Sequence, residues 1–270
     1  MLLKVRVIAL GFLALLVVGA IASAASSANP GPFWNHREKT GENGLKISAQ
    51  APEAFYGTGG PQELKGNVGI PVILRTAGVK ITGFIWNNGL QGQIKLRLKY
   101  PPITIIEPIV KECQPEVFSQ VGAHNVVYSE GHLAWTWNGE EPQRSEQPIL
   151  NQKPAIIFVP PGTQIQQGAT ALPTGTFAEV KFTGAGCGVL AGTFPVTGTT
   201  VGKLIQPANK EEWSNTFTFA TPEGKVKQHF WNGIEFRGVE TGLTFAGNPA
   251  SLIGENTIET IRQEISIFEK

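Results

Sequence analysis

The sequence predicts an all-β protein: an antiparallel β-sandwich of one or two sheet units, preceded by a signal peptide. Three observations carry that prediction. Short runs rich in Val, Ile, Thr and Phe alternate apolar with polar and end at Gly, Pro or Asn. Glycine (32) and proline (19) punctuate the 270-residue chain at close intervals. The start reads as an export signal, with Lys4 and Arg6 ahead of an uncharged run from Val7 to Ala22.

Taken in order, residues 1–24 form the expected signal peptide. Small residues at Ala22 and Ala24 fit cleavage after Ala24, with Ala22 and Ala28 as alternatives. The apolar run is short for a membrane span, which needs roughly 20 residues. Residues 25–43, with Pro30, Pro32 and Gly41, read as irregular, and residues 44–270 as the β region. "QIKLRLKY" is the clearest strand: Ile94, Leu96 and Leu98 face one way, Lys95, Arg97 and Lys99 the other. Ten further runs read as strands, from "GIPVILRT" through "NVVYS", "HLAWTW" and "AIIFV" to "GLTF". "YGTGG" at Tyr56–Gly60 reads as a turn, and polarity around Ser129-Glu130-Gly131 suggests a hairpin. Two proline-rich stretches, Gly139–Pro154 and Val159–Gly175, read as long loops and mark a subdivision near 139–175. Residues 256–270 fit either a helical stripe or a last strand, and the β-rich context favours the strand.

Composition narrows the chemistry. All 21 acidic residues are glutamate. Without aspartate the chain cannot build a Ser-His-Asp triad, an aspartic dyad or an Asp-rich calcium loop. It has only four histidines: His36, His124, His132 and His229. Losing Lys4 and Arg6 leaves 20 basic against 21 acidic residues, a balance without the footprint of a nucleic-acid binder. Cys113 and Cys187 are the only cysteines, and an exported chain predicts that they pair.

Four of the six tryptophans precede asparagine: Trp34, Trp86, Trp137 and Trp231. Asn-Gly is the strongest two-residue hairpin signal, because a type I′ turn needs positive φ at both positions. Asn88-Gly89 and Asn232-Gly233 each lie between two β-rich runs and predict hairpins, with Trp86 and Trp231 packed at the strand ends. Asn138-Gly139 opens a long loop instead, and Trp34-Asn35 lacks the glycine. The competing reading is a sugar platform, for which Trp135 and Trp137 are the candidates because i and i+2 share a strand face.

Other chemistry is faint. His124, Glu130 and His132 are the only candidates for a metal site, and their spacing matches no metalloprotease signature. Glu130, Glu140 and Glu141 could supply a glycosidase carboxylate pair, although adjacent glutamates in a strand face opposite ways. No P-loop, dinucleotide fingerprint or nucleophile elbow is present, and no cofactor is expected.

The stretch "CGVLAGTFPVTGTTVG" (Cys187–Gly202), preceded by "FTGAG", resembles a recurring segment of secreted bacterial all-β proteins of uncharacterised function. The resemblance covers 16 to 20 residues. It implies an exported, all-β, disulfide-bearing protein and transfers no catalytic residue. The expectation is therefore a non-enzymatic structural or binding protein of the envelope or extracellular space. Its partner would be an envelope glycan or protein, with no nucleic acid and no membrane span after signal removal. The alternatives are a carbohydrate-binding module and a glutamate-dependent glycoside hydrolase.

Overall fold

A computed structural model describes residues 33–36, 45–88, 92–119, 123–137, 152–163, 175–205, 212–221, 226–231, 236–262 and 264–268. The expected signal peptide lies outside them. The strands are β1 (Phe33–His36), β2 (Leu45–Lys46), β3 (Glu53–Gly59), β4 (Gln62–Asn67), β5 (Pro71–Thr76) and β6 (Val79–Asn87). Next come β7 (Gly92–Lys99), β8 (Ile103–Glu107), β9 (Gln114–Phe118), β10 (Val126–Trp137), β11 (Gln152–Val159) and β12 (Gly175–Thr183). The last are β13 (Gly192–Leu204), β14 (Ser214–Thr221), β15 (Val226–Trp231), β16 (Phe236–Phe245), β17 (Asn248–Thr260) and β18 (Ser266–Phe268). A short 3₁₀ turn, Ala185–Leu190, separates β12 from β13.

The fold is the expected all-β, antiparallel, sandwich-like class. Its ladders also close on themselves. The circuit β17–β3–β6–β7–β10–β11–β13–β14 returns to β17, joining eight strands without an edge. A second layer of β9, β12 and β16 is attached through β13 and β17. β13 serves both layers: Gly192–Gly198 pair with β12, whereas Thr200–Lys203 pair with β11. The change falls beside Gly198, at φ +106, where an added Cβ would strike the Gly242 carbonyl oxygen. A corner of this kind is what lets one strand serve two sheets. β11, from within the 139–175 stretch, lies between β10 and β13.

Several local readings change. Phe33–His36, inside the stretch expected to be irregular, form β1, and Trp34 is fully buried. "YGTGG" is strand rather than turn through Gly59, because Gly57 and Gly59 admit the backbone of β17, whose Thr257 oxygen and Asn256 side chain would strike a Cβ there. Ser129-Glu130-Gly131 is the middle of β10 rather than a hairpin. A Cβ on Gly131 would lie 2.6 Å from Ile94 and 2.7 Å from Ile156, so that glycine serves close packing. β11 begins at Gln152, taking Pro154 into a strand. β13 pairs with β11 only from Ala155 on, so the missing N–H of Pro154 costs no bond on that side. Residues 256–260 end β17 and 266–268 form β18, as the strand reading expected.

Both Asn-Gly hairpins form, with longer connections than a two-residue turn. The last pair of β6–β7 is Asn87↔Gly92, which leaves residues 88–91 to connect them. The last pair of β15–β16 is Trp231↔Phe236, which leaves 232–235. Gly89, Asn232 and Gly233 lie outside the described residues. In both cases Asn-Gly occupies the first two positions of a four-residue connecting stretch.

Candidate functional site

An apolar concave feature lies between the two layers. It is a cavity of about 140 Å³ walled by residues from β4 and β5, the far end of β7, and β8 to β14 and β16–β17. The period-2 pattern builds it. Leu96 and Leu98 on β7, Val127 on β10, and Phe217 and Phe219 on β14 are alternate residues that turn inward. One wall is aromatic: the Phe158 ring centroid lies 5.6 Å from that of Phe217 and 5.3 Å from that of Phe219.

The polar groups in the wall are mostly answered within the protein. Gln62 Nε2 donates to Asn256 Oδ1 at 2.7 Å. The Ser129 hydroxyl donates to the Val159 carbonyl at 3.1 Å, and that of Thr76 to the Gly78 carbonyl at 2.9 Å. Arg75 is ion-paired with Glu63. Tyr100 differs. Its backbone N–H donates to Asn125 at 2.8 Å, but its hydroxyl has no hydrogen-bond partner among the described residues. Burial pushes its phenol pKa above the ordinary value. The residue is part-exposed and is one of those that line the cavity.

The residues singled out from the sequence fall elsewhere. Trp135 and Trp137 are on β10, opposite Pro154 and Gln152, and Trp137 also pairs with His229 of β15. Their side chains lie outside what is described. His124, Glu130 and His132 are not brought together. His124 Nδ1 sits 3.6 Å from Glu116 Oε1 and its ring lies 4.6 Å from that of Phe118. Glu130 is ion-paired with Lys95 at 2.8 Å. His132 is buried, and desolvation lowers its pKa to about 4 against a smaller opposing effect of Glu130. Among the described residues no group of three His, Cys or Glu side chains could hold a metal. Glu140 and Glu141 lie outside them. Cys113 and Cys187 are bonded, with Cα atoms 4.6 Å apart, and the bridge adjoins the β9–β12 ladder at the Gln114↔Thr183 pair. No helix among the described residues is long and apolar enough to cross a membrane.

Sequence reasoning missed the cavity because its wall reads as ordinary core. The one local signal was Tyr100 at the end of "QIKLRLKY", a phenol on the alternation that points Leu96 and Leu98 inward. Comparison with known proteins found no matching family model, no matching curated protein and no matching solved structure.

Proposed function

We propose that this chain is an exported, non-enzymatic binding protein that takes up a small apolar molecule bearing one hydrogen-bond acceptor. The observation that carries the reading is the apolar cavity lined by Tyr100, whose hydroxyl has no hydrogen-bond partner among the described residues. At about 140 Å³ it compares with a ~150 Å³ cavity lined by Leu, Ile and Phe that stays dry and admits benzene. A ring-sized ligand gains apolar burial, and the phenol supplies orientation. Among the described residues no carboxylate lines the space, which supports binding over glutamate-dependent hydrolysis. The disulfide and the Cys187–Gly202 resemblance support export. The carbohydrate-module alternative rests on Trp135 and Trp137.

The test uses acetophenone and ethylbenzene, similar in size but differing in the acceptor. Acetophenone should give a saturable rise in melting temperature, and ethylbenzene a smaller one. Tyr100→Phe should abolish the difference. Leu98→Trp, which fills the space, should abolish both responses. No saturable shift with either compound on the wild-type protein sinks the reading.

A further inference from the structure

The outer surface of the same strands carries an arrangement that the cavity does not use. Facing solvent, β7 presents Lys95, Arg97 and Lys99 at steps of roughly 6.7 Å. Across the ladder Lys80 of β6 stands directly opposite Lys99, Thr82 opposite Arg97, and Phe84 opposite Lys95. Like charges placed directly opposite are unfavourable in a sheet, so folding alone does not account for the Lys80–Lys99 pair. Only Lys95 is answered, by Glu130 at 2.8 Å. Lys80, Arg97 and Lys99 have no carboxylate partner among the described residues.

Aromatic rings flank this strip. Phe84 is 50% exposed, and Tyr56 of β3, one residue pair away, is 51% exposed. On the other side Tyr128 of β10 stands opposite Arg97 and is part-exposed. Exposed hydroxyls of Thr58 and Thr82 lie among them. Three carboxylates stand at the margins of the face: Glu130 is engaged with Lys95, Glu259 with the Tyr56 hydroxyl, and Glu255 of β17 is exposed beyond Thr257.

We infer that the outer face of β3, β6, β7 and β10 binds a linear carboxylated polysaccharide. Charge complementarity names the partner. The row of unanswered cations matches carboxylates repeating along an extended chain, and desolvated pairs with Arg97 are the stronger ones. The rings offer flat apolar surfaces to the C–H faces of pyranoses, and the threonines can bond sugar hydroxyls. A nucleic acid would also use cations and rings, but its affinity grows with the number of phosphates neutralised. Three free cations on a chain of formal net charge +1 are a small footprint for that.

Affinity electrophoresis in gels containing polygalacturonate tests this, with neutral dextran gels and a single-stranded oligothymidylate as comparisons. Wild-type protein should be retarded by polygalacturonate at low salt, less so at high salt, and not by dextran. Lys80→Ser combined with Lys99→Ser should weaken the retardation roughly tenfold. Phe84→Ser should weaken it while leaving its salt dependence unchanged. The double lysine variant should keep or raise the melting temperature, because it removes a repulsion, so any loss of binding is not a loss of fold. Absent retardation, equal retardation in dextran, tighter binding of the oligonucleotide, or an unaffected lysine variant would each overturn the inference.

Discussion

The two ends of β7 are finished differently, although both lie in one continuous core. At the Gly92 end the interior is plugged. Trp34 of β1 is wholly buried there, and an added Cβ on Gly92 would lie 2.8 Å from its Cδ1. Its indole N–H donates to the Gln93 carbonyl at 2.9 Å. Asn87 clasps the same strand: its Oδ1 accepts from Trp34 N at 2.9 Å, and its Nδ2 donates to the carbonyls of Trp34 (2.7 Å) and Ile47 (2.8 Å). At the Tyr100 end no such plug is found among the described residues. Leu98 and Tyr100 border the cavity, and the walls contributed by β9 and β12 are pinned by Cys113–Cys187. One end is therefore closed by packing and the other is left hollow, with its walls fixed covalently. The difference teaches that a sandwich can keep an internal space where a cross-link relieves the core of filling it.

Three measurements bear on this contrast. Trp34→Ala should cost the most, about 3–5 kcal/mol by denaturant unfolding, because it empties the plugged end. It should also let the plugged end take up apolar probes; an unchanged midpoint would mean that the two ends are closed alike. Replacing both Cys113 and Cys187 by Ser should cost roughly 4 kcal/mol, the chain entropy of a 74-residue separation. The loss should fall on the hollow end, so affinity for the cavity ligand drops while the Trp34 fluorescence environment is kept. If the probe binds as before, the bridge is not what holds the walls.

The smallest effect concerns acidity near the plugged end, where His132 pairs across the ladder with Gln93. Burial lowers its pKa from 6.5 to about 4, so it is neutral in the fold. Below pH 6.5 the unfolded chain takes up a proton that the folded one does not. The His132 contribution to stability therefore falls as pH drops from about 6.5 to about 4 and levels off below, by on the order of 3 kcal/mol. His132→Gln should flatten that part of the stability profile relative to wild type. An identical profile would show that His132 is not buried neutral.

The sequence by itself determined the fold class, the disulfide and the hairpins of the Asn-Gly segments. Each rests on local information: the period-2 alternation of "QIKLRLKY", the count of two cysteines, and dipeptides that favour turning. Glycine and proline misled wherever their reason was a distant neighbour. Gly57 and Gly59 are small because β17, nearly two hundred residues on, comes close, and Gly131 because Ile94 and Ile156 do. Trp34 looked like the stray copy of the Trp-Asn pairs, yet it is the plug, because Asn87 and Gln93 receive it across more than fifty residues. The cavity was equally invisible. Alternation says which residues turn inward, but only the spacing of two layers says whether they meet. Tertiary structure decided that they meet around Trp34 and stop short at Tyr100.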